Sequence, residues 1–245
     1  MKTLISFKYE PRYVELNEKG ILRDRVEILR QILNDCTLCP RNCHVNRNLG
    51  RKGKCRVGKE LIISGVHPHF GEENCLVGTH GSGTIFFASC NMNCIYCQNY
   101  EISRFKRGEI VTVETLAESM LFLQRIGCHN INLVTPTHYV PQIVEAIEIA
   151  VKKGLRIPIV YNCGGYESVE TLKLLDGIID IYMPDIKYSD NFYGLRYSGV
   201  PDYWDVVREA VKEMWRQVGD LKIVDGVAVK GLLVRHLVLP NNIAG

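Results

Sequence analysis

The sequence predicts an α/β protein, a parallel β-sheet covered by helices, with a small cysteine-rich piece at its amino end. Three observations carry this. Apolar runs at residues 83–89, 130–135, 157–161, 178–183 and 232–239 are separated by stretches with helical spacing of apolar residues. The runs are apolar nearly throughout, as in strands buried on both faces. Glycine or proline marks most of the changes from one pattern to the next, as at Gly127, Pro141, Gly154 and Gly177.

In chain order, residues 17–34 carry Leu22, Val26, Leu29 and Leu33 at helical spacing and read as an amphipathic helix. Next come Cys36, Cys39, Cys43 and Cys55 in a C-x2-C-x3-C-x11-C group, broken by Pro40, Gly50 and Gly53. Residues 61–70 have strand character, and 71–82 form a turn-rich approach to the first parallel strand, 83–89. A helix over 115–126 turns Leu116, Met120 and Leu123 to one face and stops at Gly127. Strand 130–135 follows, then a helix with Pro141 in its first turn and Val144, Ile147 and Val151 inward. After strand 157–161 a Gly164–Gly165 turn leads into a helix through Leu172 and Leu175. Strand 178–183 precedes a helix begun by Pro201, with Val206, Ala210 and Met214 inward, and a hairpin at 221–230 turns about Asp225–Gly226. Strand 232–239 is the fifth and last. The expected division is a helix and Cys-rich metal-binding segment over 1–60 and the sheet domain over 61–245.

Composition narrows the function classes. The chain has 245 residues, 46% of them hydrophobic, and a mean hydropathy of −0.04. No run approaches the roughly 18 apolar residues of a membrane span, and MKTLISFKYEPRY is too polar for a signal peptide, so no membrane role and a cytoplasmic location are expected. Ten cysteines in that setting point to metal or redox chemistry rather than disulfides. A net charge of +3 gives no general case for nucleic acid.

The chemistry centres on the segment from Gly83 to Ser103. A buried strand runs directly into Cys90, Cys94 and Cys97, spaced C-x3-C-x2-C. Three thiolates on one loop can hold three corners of a cubic 4Fe-4S cluster and leave the fourth iron open to a substrate or cofactor. The competing reading is structural zinc, which favours paired C-x2-C knuckles and a fourth ligand that this segment lacks. For Cys36, Cys39, Cys43 and Cys55, four thiols in a polar loop cannot build a hydrophobic core but can fold around a metal, either zinc or a second iron–sulfur cluster. The surrounding Arg41, Arg47, Arg51, Lys52, Lys54 and Arg56 are expected to be solvated, with RNA contact the minority reading. His67, His69, His80 and Cys75 remain outside the expected site.

The arrangement C-x3-C-x-aromatic-C after a buried strand, with Tyr96 as the aromatic, resembles the signature of the radical S-adenosylmethionine (SAM) superfamily. The longer string GSGTIFFASCNMNCIYCQNYEIS resembles its pyruvate formate-lyase activating-enzyme branch. The resemblance implies a partial (β/α) barrel of six strands, of which five are visible here; either the sixth lies outside this sequence or the sheet has five strands and an unpaired edge. It also implies 4Fe-4S and SAM as cofactors. Site residues then lie at the carboxyl ends of strands.

The second strand end, Thr135-Pro136-Thr137, departs from the family's Gly-Gly-Glu type. The third places Asn162 as a SAM contact in the turn Tyr161-Asn162-Cys163-Gly164. The fourth, MPDIK, supplies Asp185 and Lys187. The fifth supplies Arg235, whose charge would meet the SAM carboxylate, and Leu237, while Tyr96 would lie against adenine. The implied reaction is one-electron cleavage of SAM to methionine and a 5′-deoxyadenosyl radical, which takes a hydrogen atom from the substrate. By resemblance the substrate is a glycine in a glycyl-radical enzyme, and the electron comes from a donor such as flavodoxin or ferredoxin. Modification of another protein or of a small molecule fits nearly as well. A non-enzymatic iron–sulfur or zinc protein with closed sites, and an RNA-binding zinc protein, are the readings from other classes.

Overall fold

The computed structural model describes residues 9–244. The chain begins with α1 (Arg12–Glu18) and α2 (Ile21–Ile32), so the single expected helix is split. The cause is Gly20, which caps α2 in the left-handed region at φ 75°. Leu22, Val26, Leu29 and Leu33 are all buried, as their spacing requires. The Cys-rich segment follows, and then β1 (Leu61–His69) and the one-turn α3 (Asn74–Val77). The first parallel strand is β2 (Ser82–Phe87). After the cysteine loop come the one-turn α4 (Tyr100–Ser103), the short strand β3 (Glu109–Val111) and α5 (Val113–Arg125). Thr112 caps α5 by accepting from the Thr115 amide at 3.2 Å.

The alternation then continues through β4 (Ile131–Val134), α6 (Val140–Lys152), β5 (Ile159–Cys163), α7 (Val169–Leu174) and β6 (Ile181–Ile186). Two helices follow, α8 (Asn191–Ser198) and α9 (Tyr203–Val218). Last are β7 (Lys222–Val224), β8 (Val227–Leu232) and the two-residue β9 (Arg235–His236). Elements α3, α4, β3 and α8 were not expected; all are short, with little periodicity to detect.

The sheet runs β3-β1-β2-β4-β5-β6-β8-β7, with β9 also on β6. Strands β2, β4, β5, β6 and β8 are parallel, joined by the helices. This is an α/β fold with a mostly parallel sheet, the partial barrel expected from the sequence, and among the described residues hydrogen bonds do not close it. Antiparallel β1 and β3 cover the β2 side.

The far side differs from expectation. The hairpin forms as read, with Asp225 at φ 50° and Gly226 at φ 82°, the left-handed pair that such a two-residue turn demands. Its second strand, however, is β8 itself, which enters the parallel sheet opposite Ile181 and Tyr182. The expected strand 232–239 is therefore interrupted after Leu232 and resumes only as β9, paired through Asp185↔Arg235.

Three apolar clusters form among the described residues, and the largest takes in the amino-terminal segment. Tyr13, Leu22, Leu29, Cys36, Leu38, Cys55 and Val57 belong to the same cluster as Leu133, Val144 and Tyr161. The expectation that the cysteine segment contributes no core is thus corrected. Three of its thiols, Cys36, Cys39 and Cys55, are buried, and Cys36 and Cys55 pack in that cluster.

The arginines there are not simply solvated either. Arg47 is fully buried and donates to the Gly58 carbonyl from Nε and NH2 at 2.9 and 2.7 Å, and to the His138 carbonyl at 2.8 Å. A buried guanidinium is tolerated only with its donors satisfied in this way. Arg47→Met leaves both carbonyls without that donor and should lower the unfolding free energy by about 3 kcal/mol in a urea titration. A loss under about 1 kcal/mol would show that the network is not structural.

Candidate functional site

At residues 88–99 the backbone leaves β2 and forms a loop with no ladder of its own, held by side chains and neighbouring backbone. Ser89 turns the chain at φ 75°, donating its amide to the Ile102 carbonyl at 3.0 Å and its hydroxyl to the Cys55 carbonyl. Arg104 donates to the Cys94 carbonyl at 2.6 Å, and Arg41 to the Asn91 and Gly199 carbonyls at 3.0 and 2.6 Å. From α8, the carbonyls of Tyr197 and Ser198 receive the amides of Ile95 and Asn93. The Asn91 side chain donates to the Tyr166 carbonyl at 2.8 Å. A loop so tied presents its cysteines in one fixed arrangement.

The three thiols open into a single cleft of about 820 Å³. Its wall contains Cys90, Cys94, Cys97 and every residue expected to contact the cofactor: Tyr96, Asn162, Asp185, Lys187, Arg235 and Leu237. Parallel pairing of β5, β6 and β9 explains the convergence, since it sets Asn162, Asp185 and Arg235 at successive carboxyl ends of one sheet. Thr135, at φ 60°, lines the cleft and donates its amide to the Asn162 carbonyl at 2.8 Å. Thr137 does not; its hydroxyl turns into the core, to Glu167. Gly164 in the third turn packs closely on the cysteine loop, where a Cβ would lie 2.8 Å from Met92 Sδ and displace that side chain.

Electrostatics in the cleft centre on Asp185. Its carboxylate accepts from Lys187 Nζ at 2.8 Å and from Arg235 Nε at 2.7 Å. Burial opposes charge on Asp185, yet Lys187 and then Arg235 hold its carboxyl below the usual range. Burial likewise opposes charge on Lys187, but Asp185 outweighs it and raises the ammonium's affinity for its proton. Arg235 also donates to Asn162 Oδ1 at 2.8 Å and approaches Glu72 at 3.4 Å.

Arg235 therefore has protein partners of its own, beyond the ligand carboxylate expected for it. Glu72, whose carboxyl is pushed up by burial against the pull of Arg235, was missed; nothing in Gly71-Glu72-Glu73 distinguishes it from a surface pair. His69 also lines the cleft, whereas His67 stacks on Phe86 and His80 packs against His129. Tyr96 is fixed by a hydrogen bond from its hydroxyl to Tyr188, which is bonded in turn to Ser198; Ser198 donates to Cys94 Sγ at 2.9 Å.

The donor set suits an iron–sulfur cluster. Cys90, Cys94 and Cys97 are free thiols on one wall. Among the described residues no three Cys, His, Asp or Glu side chains converge on one point as a single ion requires. A cluster makes no such demand, because each thiolate binds a different iron. Burial pushes the Cys90 thiol up to about 12 and the Cys94 thiol in the same direction, so a bound metal is what would hold them as thiolates.

Cys36, Cys39, Cys43 and Cys55 lie outside the cleft, joined to it through the Cys55–Ser89 hydrogen bond. Burial pushes the Cys39 thiol up to about 12, and Cys43 Sγ accepts from the Lys54 amide at 3.3 Å. A Cβ at Gly53 would sit 2.9 Å from Cys43 Sγ, so only glycine fits there.

A family model of the radical SAM superfamily matches residues 84–222, more than half of the chain, and the chain belongs to that superfamily. Membership in that superfamily implies a 4Fe-4S cluster and SAM as cofactors, with reductive cleavage of SAM as the chemistry they serve. An uncharacterized protein of Methanocaldococcus jannaschii is 32% identical over 238 residues, covering 94% of this chain and 64% of that protein. A second uncharacterized protein of the same organism is 28% identical over 180 residues, covering 64% of this chain and 50% of that protein. The chain thus spans one half to about two thirds of these relatives. A solved structure of TYW1 with a lysine-pyruvate adduct bound aligns with a TM-score of 0.41 and 16% identity, over 65% of this chain and 56% of that one. No helix among the described residues is long and apolar enough to cross a membrane.

Two buried carboxyls behind the sheet give the fold a pH dependence. Burial raises Glu167 to about 7 despite donors from Thr137 and Tyr161, and raises Asp180 to about 7 despite donors from Tyr9 and the Ile159 amide. Both folded values exceed those of the unfolded chain, so the folded state holds protons that the unfolded chain releases. The resulting stability is full below about pH 4 and is lost as pH rises through about 7. Glu167→Gln should flatten this fall in denaturant titrations at pH 5 and pH 8, by on the order of 2–3 kcal/mol. An unchanged slope would place the protonation elsewhere.

Proposed function

We propose that the cleft binds SAM against a cluster held by Cys90, Cys94 and Cys97, and that the radical formed there takes a hydrogen atom from a glycine of a glycyl-radical enzyme. The observation that carries the cofactor assignment is the meeting of nine residues, chosen from sequence alone, on one cleft wall. The glycine assignment is supported by the likeness of GSGTIFFASCNMNCIYCQNYEIS to the activating enzymes. When bound, the cluster and SAM supply one-electron cleavage of the sulfonium.

The chain's own residues do the rest. Lys187 and Arg235, balanced on Asp185, offer cations to a carboxylate, while Asp185 and Glu72 offer anions to an ammonium or sulfonium group. Asn162 supplies an amide beside them, and Leu237 gives an apolar surface. Tyr96, locked through Tyr188, lays a fixed ring against the site. No general base is required of the protein. The four amino-terminal thiols are proposed as a second metal site, supported by their C-x2-C-x3-C-x11-C spacing and by the burial of Cys36, Cys39 and Cys55.

The deciding experiment is anaerobic turnover of iron-loaded protein with SAM and dithionite, reading 5′-deoxyadenosine, then the glycyl-radical signal of an added partner enzyme. Deoxyadenosine without a glycyl radical would move the substrate assignment to another protein or a small molecule. Cys94→Ala should abolish iron loading at this site and SAM cleavage while keeping the circular dichroism of the fold, since the cysteine sits on a loop. Retained cleavage would remove Cys94 from the site. Arg235→Leu should weaken SAM binding at least about tenfold, some 1.4 kcal/mol, with iron content unchanged. Equal SAM affinity in that variant would exclude Arg235 as a contact.

A further inference from the structure

A cysteine sulfur that binds iron has given up its proton and can only accept hydrogen bonds, so the donors aimed at it bear on its charge. Each thiol of the loop meets such a donor. The Met92 amide reaches Cys90 Sγ at 3.3 Å, the Ser198 hydroxyl reaches Cys94 Sγ at 2.9 Å, and the Ser103 hydroxyl lies 3.3 Å from Cys97 Sγ. The amide belongs to the loop itself. The two hydroxyls belong to the last residues of α8 and α4, and Ser198 is 104 positions away from Cys94 in the chain.

A serine in a helix ordinarily turns its hydroxyl back to the carbonyl one turn earlier or out to water. Ser198 is instead fully buried, and its hydroxyl bonds to Cys94 Sγ and, at 2.8 Å, to the Tyr188 hydroxyl. Tyr188 is fully buried as well, and its oxygen accepts from the Tyr96 hydroxyl. Each of these hydroxyls has one proton to give. With Cys94 as a thiolate the sulfur has none, so the Ser198 proton points at the sulfur, the Ser198 oxygen accepts from Tyr188, and Tyr188 accepts from Tyr96. The chain of bonds thus runs in one direction, from Tyr96 through Tyr188 and Ser198 to Cys94. Bonds aligned in this way strengthen one another, most of all where water is excluded.

We propose that the hydroxyls of Ser198 and Ser103 raise the reduction potential of the cluster held by Cys90, Cys94 and Cys97, and that Tyr188 reinforces Ser198. The inference rests on the cluster assignment above. Reduction adds one negative charge, part of which falls on the cysteine sulfurs. A donor to sulfur stabilises the more negative form more than the other, and the potential rises. One electron is taken up and no proton moves, because each serine keeps its O–H bond. Ser198 has the larger effect: its bond is the shorter, is fully buried and is backed by Tyr188, whereas Ser103 is half-buried. Both serines are positioning residues that act through the ligand sulfurs. A higher potential eases reduction and leaves less driving force for the cleavage that follows, so these hydroxyls fix where that compromise lies.

The test is an anaerobic redox titration of the full chain loaded with iron and sulfide, without SAM, following the paramagnetic resonance signal of the reduced cluster. Iron and sulfide contents are measured on every variant. Ser198→Ala should leave roughly tenfold less reduced relative to oxidised cluster at any fixed potential, a midpoint about 59 mV lower. Ser103→Ala and Tyr188→Phe should shift the ratio in the same direction by about threefold each. Tyr188→Phe keeps the ring and removes only the outer hydroxyl, so a merely structural role for Ser198 would leave its midpoint where it is. An unchanged or raised midpoint in Ser198→Ala at full iron content overturns the proposal. Where Ser198→Ala holds no iron, the other two variants decide, and unchanged midpoints in both overturn it. A wild-type protein that holds no cluster at Cys90, Cys94 and Cys97 refutes the assignment beneath the proposal, and the proposal falls with it.

Discussion

A loop that carries three metal-binding thiols cannot also be a strand or a helix, so its peptide groups have no ladder to satisfy them, and most of this protein's unusual interactions answer that need. Arg41 and Arg104 take the carbonyls of Asn91 and Cys94, and Arg56 takes those of Ser103 and Arg104. The carbonyl ends of α8 receive two loop amides, and Ser89 is tied to both Cys55 and Ile102. Guanidinium groups suit the work because one planar group can span two carbonyls several residues apart. The basic character of the amino-terminal segment is in part a structural device, and the burial of Arg47 is its extreme case.

The cleft shows a second balance. Two cations and two carboxylates in a semi-buried space would each be costly singly, and removing any one would leave an uncompensated charge. Asp185 lies between Lys187 and Arg235, and Glu72 from the segment before α3 approaches Arg235 from the opposite side. The site is thereby assembled before any ligand arrives. Groups of both signs are thus already oriented, so a ligand that carried both signs of charge would need little reorganisation of them.

Much of this was legible in the residues and some was not, for identifiable reasons. The five parallel strands were visible because buried strands are continuously apolar, and the cysteine loop because its spacing is specific. Topology directs the search to the strand ends, and the resemblance to the family is what singles out Asp185, Lys187, Asn162 and Arg235 there. Glu72 was missed because its partner is 163 positions away in sequence and its neighbours are ordinary turn residues. The split at Gly20 was overlooked because apolar spacing survives it intact. The last strand was misplaced because β8 mixes Lys230 and Gly231 into an apolar run and so reads as hairpin rather than sheet. The arginines of the cysteine segment were read as solvated because composition cannot reveal that loop carbonyls will be brought to them.

One feature of the sheet bears on how the site behaves in time. Strand β9 is two residues long and has β6 as its hydrogen-bonded neighbour, while β7 shields only β8. Val234 and Leu237, on either side of it, are partly open to solvent. Local opening costs least where backbone bonds are few and apolar contacts thin, so this margin is the softest part of the wall. The cysteines belong to a braced loop and Arg235 to a yielding border. Any molecule that bridged them would have to order the border, and part of its binding free energy would go to that ordering rather than to contact.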